Sequence, residues 1–221
     1  MTTNAALAVT GSNLAGDVPF AVALALPGGA VVGARPNPGE RGDLARLCAE
    51  LCAAHGVAPA DLGEVRVDVG PGSYTGLRVA VTFVRCLLQF GGVRVQALDS
   101  LALLAARARA TPGDVRVVLD ARRDRVHLQS FVISPASVAA TSPPAAVPFA
   151  AALAAITPGA RVVVPGNLPA AMTAALRAAG AAVQVEATVL ATELFAPGLP
   201  FVAAATADLE PRYLMGSYAE E

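Results

Sequence analysis

Apolar and polar positions change period several times along the chain, and each change marks an element. Ala5 to Val9 is a short apolar run closed by the turn residues Thr10-Gly11-Ser12-Asn13, which predicts a strand and a loop. Phe20 to Leu26 and Ala30 to Ala34 are β-compatible runs around Pro27-Gly28-Gly29, a hairpin, and Arg35 to Gly39 with Pro36 and Pro38 is loop. Leu44, Leu47, Cys48, Leu51, Cys52 and His55 recur at helical spacing, one stripe of an amphipathic helix ended by Gly56. Val65 to Val69 reads as a strand, a helix from about Leu77 to Phe90 follows, and Val93 to Ala97 is a further strand. Ser100 is placed to cap a helix from Leu101 to about Ala110.

Further on, Val115 to Leu119 and Val126 to Ile133 pair as a hairpin around Asp120-Ala121-Arg122-Arg123-Asp124. Ser134 to Pro148 reads as a Pro/Ser-rich connection. Ala150 to Ile156 and Ala170 to Ala179 read as helices around a buried strand at Val162 to Val164, with a short strand at Val183 to Val185 and a helix at Thr188 to Phe195. A leading antiparallel hairpin followed by βα units predicts a mixed sheet flanked by helices, repeated in a second, degenerate lobe.

Composition narrows the chemistry. The chain has 221 residues, 55% hydrophobic and 15% charged, which excludes intrinsic disorder. Its net charge of −1 excludes a strongly basic nucleic-acid platform. Every basic residue is Arg, so a Walker lysine, a Schiff-base lysine and a lysine general base are all excluded. Mean hydropathy is high, at +0.56. Yet the long uncharged stretch from Val126 to Ala160 is broken by Pro135, Pro143, Pro144, Pro148 and Pro158, and Val18 to Ala34 by Pro27-Gly28-Gly29, so neither reads as a membrane span. With no basic residue before Arg35, no signal peptide is expected, and three cysteines suit a reducing compartment.

The most informative stretch is Gly70-Pro71-Gly72-Ser73-Tyr74-Thr75-Gly76-Leu77-Arg78. It reads first as a β-to-α turn, with glycines for close approach and Ser73 or Thr75 as helix cap, and second as an anion cradle of free amides at a helix N-terminus. It matches neither a Walker loop nor the G-x-G-x-x-G fingerprint.

Val69 to Val79 around this stretch resembles the hallmark of the TsaB (YeaZ) family. So, in order, do Leu98-Asp99-Ser100-Leu101, Val118-Leu119-Asp120-Ala121-Arg122 and Pro211-Arg212-Tyr213-Leu214. The resemblance implies an actin/hexokinase-like (ASKHA) α/β fold, with a first lobe over residues 1–100, a smaller one over 101–202 and a tail, 203–221, packing back on the first. It implies a non-catalytic, cytoplasmic subunit in tRNA N6-threonylcarbamoyladenosine formation, bound to a TsaD-like catalytic subunit with a TsaE-like ATPase joining. Such a subunit dimerises in isolation and meets tRNA only through the complex. It implies no resident cofactor or metal, with nucleotide at a subunit interface left open. The implied partner seam is the pair of helical stripes Leu44, Leu47, Leu51, Cys52 and Leu77, Val81, Val84, Leu88. The sequence departs from the family at Ala8-Val9-Thr10-Gly11-Ser12, where an acid usually follows the first strand, and at Glu40-Arg41-Gly42-Asp43, where a His usually precedes the first long helix.

Other candidates read blandly. Cys48, Cys52 and His55 share a helix face, but only His127 and Cys86 are left to complete a zinc site, and they read as packing. Ser73 has no histidine near it in sequence to act as base. Asp120 with Arg122 reads equally as a cleft-lining pair and as a solvated hairpin turn. Two alternatives stand beside the assembly subunit: a small nucleotide-dependent phosphotransferase of the actin-like class, and a structural homodimer without a tRNA role.

Overall fold

The computed structural model describes residues 4–214 apart from 15, 17, 38, 41, 90, 91 and 206. The chain runs β1 (Ala5–Thr10), β2 (Ala21–Ala25), β3 (Val31–Ala34), α1 (Leu44–Ala54), β4 (Leu62–Asp68), α2 (Tyr74–Leu88), β5 (Arg94–Leu98) and α3 (Ser100–Ala105). It continues with β6 (Gly113–Asp120), β7 (Arg125–Ser134), β8 (Ser137–Ala140), β9 (Ala145–Pro148), α4 (Phe149–Ala154), β10 (Arg161–Pro165), α5 (Ala170–Ala178), β11 (Ala182–Glu186) and β12 (Val202–Ala204). Short 3₁₀ turns lie at Pro59–Asp61, Ala106–Ala108 and Ala191–Phe195.

Two sheets carry one repeated plan. In the first the order is β3-β2-β1-β4-β5-β12, and in the second β8-β7-β6-β10-β11, with β9 also against β7. In both, an antiparallel hairpin leads into parallel strands: β4 and β5 run with β1, and β10 and β11 run with β6. The C-terminal β12 returns to the first sheet, antiparallel to β5.

The layers follow from which faces are apolar. Strand β1 buries Ala5, Leu7 and Val9 on one face and Ala8 on the other, as a central strand between helical layers must. The first face meets α1 and α2 through Leu44, Cys48, Leu51, Cys52, Ala80, Val81 and Val84. The second faces α3, whose residues Leu101–Ala105 are all buried between Ala8 and Ala23 of the first sheet and Val115, Val117 and Phe131 of the second. Each of its leucines contributes roughly 2 kcal/mol of apolar burial. The far face of the second sheet packs Val118, Val126, Val162 and Val164 against α4 and α5.

Several boundaries differ from the sequence reading. The stretch from Ser134 to Pro148 holds β8 and β9, both on the outer edge of β7, where neighbouring backbone rather than side-chain pattern makes the strand. Helix α2 starts at Tyr74, with Ser73 Oγ accepting from Gly76 N at 3.2 Å; Phe90 lies outside the described residues. Asp99, not Ser100, caps α3, accepting from Leu101 N at 2.8 Å. That helix stops at Ala105 and passes into a 3₁₀ turn, and Thr188 to Phe195 holds only the 3₁₀ turn Ala191–Phe195.

Candidate functional site

The loop between β4 and α2 is built on a buried carboxylate. Thr10 and Asp68 end the adjacent parallel strands β1 and β4, so their side chains meet although 58 residues separate them. Thr10 Oγ1 donates to Asp68 Oδ2 at 3.0 Å, Gly11 N to Oδ1 at 3.0 Å and Ser100 Oγ to Oδ2 at 3.1 Å, and the Ser12 hydroxyl also bonds to the group. Asp68 is 0% exposed. Burial pushes its carboxyl above the ordinary carboxylate range, against the pull of those donors.

Ser100 carries the hub into the loop. Its hydroxyl accepts from Gly70 N at 3.1 Å and its backbone N donates to Gly70 O at 2.8 Å. Ser73 N donates to Ser12 O at 2.8 Å, and Leu77 N to Ser73 O at 2.9 Å. The Gly70-Pro71 bond is cis, and Gly70 has φ +107°. The glycines are there for contact. A Cβ on Gly72 would stand 2.5 Å from Ser12 O, and one on Gly76 would overlap the Gly11 carbonyl. The Gly70, Ser73 and Gly76 amides and the Ser73 hydroxyl are therefore engaged with the chain itself, as the turn reading of the motif requires.

The tail closes the loop from outside. Arg212 N donates to Val69 O at 2.6 Å, its Nη1 to Asp99 Oδ2 at 2.9 Å, and Leu209 is buried in the core with α1 and α2. Tyr213 meets Tyr74 with ring centroids 5.2 Å apart. Where the loop after β1 meets Val189 beyond the second sheet, the remaining cavity is about 10 Å³, lined by Thr10, Asn13, Leu14 and Phe20 among others. That is room for one water.

The other expected residues fall as follows. Gly70, Pro71 and Gly76 are buried, Ser73 is half-buried, and Gly72, Tyr74, Thr75 and Arg78 are exposed. Ser73 Oγ, considered as a nucleophile, is engaged as the α2 cap. Asp120 accepts from Arg122 N at 2.8 Å and from Arg122 Nη1 at 3.1 Å, inside a turn whose Arg122, Arg123 and Asp124 all have positive φ. The pair is a local hairpin ion pair. Cys48 and Cys52 lie in the core, where burial pushes the Cys48 thiol up to about 12, while His55 is exposed at the C-cap of α1. Among the described residues no group of three His, Cys, Asp or Glu side chains could hold a metal ion, and no helix is long and apolar enough to cross a membrane.

The seam residues need correction. Leu44, Leu51, Cys52, Leu77, Val81 and Val84 are buried within this chain, and Leu47 and Leu88 pack against the same core partly covered. An amphipathic stripe turns inward when a sheet is available to cover it, so the faces of α1 and α2 left for a partner are the opposite ones. Leu51→Asp and Val84→Asp are accordingly expected to lose about 3–5 kcal/mol of stability, from a desolvated, unpaired carboxylate. Thr82→Asp, on the exposed face of α2, stays folded. Denaturant melts followed by circular dichroism separate the two; equal midpoints for Val84→Asp and Thr82→Asp would disprove the assignment.

His127, on β7 opposite Leu119, adds a pH dependence. Its Nδ1 is buried without a partner among the described residues, and burial pushes the imidazole down to about 4, Asp120 pulling it up and Arg125 pushing it further down. A native state that holds the ring neutral keeps its full stability above the ordinary value of about 6.5 and loses it as pH falls from there towards 4. The loss reaches roughly 3 kcal/mol relative to His127→Gln. Parallel pH profiles for wild type and His127→Gln would contradict it.

A profile of the family described as TsaD, tRNA N6-adenosine threonylcarbamoyltransferase, matches residues 41–211. Among curated proteins, the tRNA threonylcarbamoyladenosine biosynthesis protein TsaB of Bacillus subtilis (strain 168) is 41% identical over 71 residues, which is 32% of this chain and 31% of that protein's length. The chain belongs to the family described as TsaD, tRNA N6-adenosine threonylcarbamoyltransferase. Two solved structures share the fold of this family over 96% of the chain and all of their own, each with TM-score 0.70: YeaZ from Pseudomonas aeruginosa, 18% identical, and a protein described by its similarity to peptidase YeaZ from Pseudomonas aeruginosa, 20% identical. The fold is thus the actin-like one, two mixed sheets with flanking helices.

Asp68 is the residue that sequence reading missed. Its signal was an acid ending an apolar strand just before a glycine turn, with hydroxyls at Thr10, Ser12 and Ser100. In the segment Ala8-Val9-Thr10-Gly11-Ser12, which carries no acid, the Thr10 hydroxyl donates to the carboxylate of the neighbouring strand.

Proposed function

We propose that this chain is a non-catalytic assembly subunit of tRNA N6-threonylcarbamoyladenosine formation in the cytoplasm. On this reading it binds a TsaD-type catalytic subunit, a TsaE-type ATPase joins, tRNA is engaged within the complex, and the chain pairs with itself when alone. The observation that carries the reading is the Asp68 hub. The acid at the strand end is sealed from solvent, and the Ser73 hydroxyl with the Gly70, Ser73 and Gly76 amides braces the loop. The tail strapped over that loop by Arg212 supports a division into lobes at 1–100 and 101–202 with a tail from 203 returning to the first, its last residues, 215–221, lying outside the described residues. A phosphotransferase is disfavoured, because the space beside Thr10 at the loop end of β1 is about 10 Å³, while the hollow of about 490 Å³ lies at the opposite end of that strand, by Ala5 and Arg66, away from the motif loop. Co-expression with a TsaD-type subunit and affinity purification tests the reading. The expected result is a stable complex that restores the tRNA modification, with no ATP turnover or threonylcarbamoyl transfer by the isolated chain. Turnover by repurified chain alone, or no complex, rejects it.

A further inference from the structure

Tyr74 and Tyr213 are the exposed aromatic side chains among the described residues, 56% and 46% open to solvent. They come from segments 139 positions apart (213 minus 74) and stand in contact, centroids 5.2 Å apart and planes 33° from parallel. Arg78, one turn along α2, lies 5.1 Å from the Tyr74 centroid and donates Nη1 to the Tyr74 hydroxyl at 2.5 Å. Arg212 anchors the other ring's segment through Val69 O and Asp99. Helix α2 carries Arg78 and Arg85 and no acid, so the α2 side of the patch is cationic, while on the tail Arg212 is paired with Asp99.

Two half-exposed rings in contact, one of them carrying the Arg78 guanidinium, match a planar aromatic group that carries negative charge. We propose that Tyr74, Tyr213 and Arg78 form a shelf on which an unpaired RNA base stacks, with the arginines of α2 meeting its phosphate. The inference rests on the reading of the chain as a tRNA-modification subunit and gives it a direct base contact within the assembled complex. An acidic protein surface is the rival occupant; it would use the charges but gain little from two stacked rings.

The test is fluorescence anisotropy of a labelled single-stranded RNA of about twelve nucleotides. It is titrated with the full-length chain, alone and bound to the TsaD-type subunit, at low and high salt. Wild type is expected to bind, Tyr74→Ala and Tyr213→Ala to weaken binding about 5- to 100-fold, and Tyr74→Phe to stay within about twofold. Arg78→Ala lowers the salt dependence. Circular dichroism confirms that these surface variants remain folded, and each is assayed for retention of the TsaD-type subunit, expected to be unchanged. No RNA binding by wild type in either state, alanine variants that bind as wild type, or equal competition by a base-free polyphosphate overturns the shelf. So does loss of subunit retention with RNA binding intact, which assigns the patch to a protein contact. Wild type that fails to retain the subunit at all instead rejects the functional reading.

Discussion

Gly76→Ala is expected to be among the most damaging single substitutions in this chain, removing at least about 3 kcal/mol of stability. Gly76 opens the first turn of α2 directly against the backbone of the loop after β1. A methyl group there would overlap the Gly11 carbonyl and stand 2.9 Å from Pro19 O. Both neighbours are backbone atoms, so neither can swing aside as a side-chain end would. The converse substitution, Gly11→Ala, meets the same wall: its Cβ would overlap Gly76 O and stand 2.8 Å from Ala80 Cβ. Relief requires α2 to move off the sheet, which opens the core around Ala80, Val81 and Val84. Against a total stability of about 5–15 kcal/mol, that is enough to leave much of the protein unfolded at 37 °C. Gly28→Ala is the matched control, because a Cβ there meets nothing within 4 Å, and its stability should change by less than about 0.5 kcal/mol. Coincident urea midpoints for the two variants would show that α2 accommodates the methyl group and that the close approach is not structural.

The second large effect is expected at Asp68. Replacement by alanine leaves the Thr10 and Ser100 hydroxyls and Gly11 N buried without their acceptor, at about 1–3 kcal/mol each. The hydroxyls can turn to other partners and water can enter, so the sum falls to about 3–5 kcal/mol. Asp68→Asn keeps the shape and one acceptor oxygen, and loses roughly half as much. The damage should also reach the surface: Ser100 Oγ links Asp68 to Gly70 N, so the loop carrying Ser73 and Tyr74 loses its support. Hydrogen exchange at Gly70 and Ser73 should therefore rise in Asp68→Ala beyond what the global stability change explains. Wild-type stability and exchange in Asp68→Ala would show that the hub merely fills space.

Local periodicity carried much of this architecture. The stripe from Leu44 to Cys52, the β-branched runs of β4 and β6, and the turn chemistry of Pro27-Gly28-Gly29 announce their elements because period and turn preference are local properties. The motif from Gly70 to Arg78 and its three companion segments likewise pointed to the family that the profile match shows. Strands β8 and β9 gave no such signal, since Ala, Ser and Pro at a sheet edge are strand only through the backbone of β7. Nor did β12, whose three residues are fixed by β5.

What the sequence determined by itself is where helices and strands form, that lysine chemistry is absent, and which loop is special. What only the tertiary structure decided is where those elements point. The stripes of α1 and α2 read equally well as a partner seam, and became core because the first sheet lies against them. Asp68 reads as one acid among seventeen Asp and Glu residues. It became the hub because parallel pairing of β1 with β4 sets it beside Thr10 and Gly11, and β5 brings Ser100 to the same end. Tyr74 and Tyr213 likewise meet only because the tail folds back over the loop. Such contacts depend on strand order and crossover, which bring together residues that no local period connects.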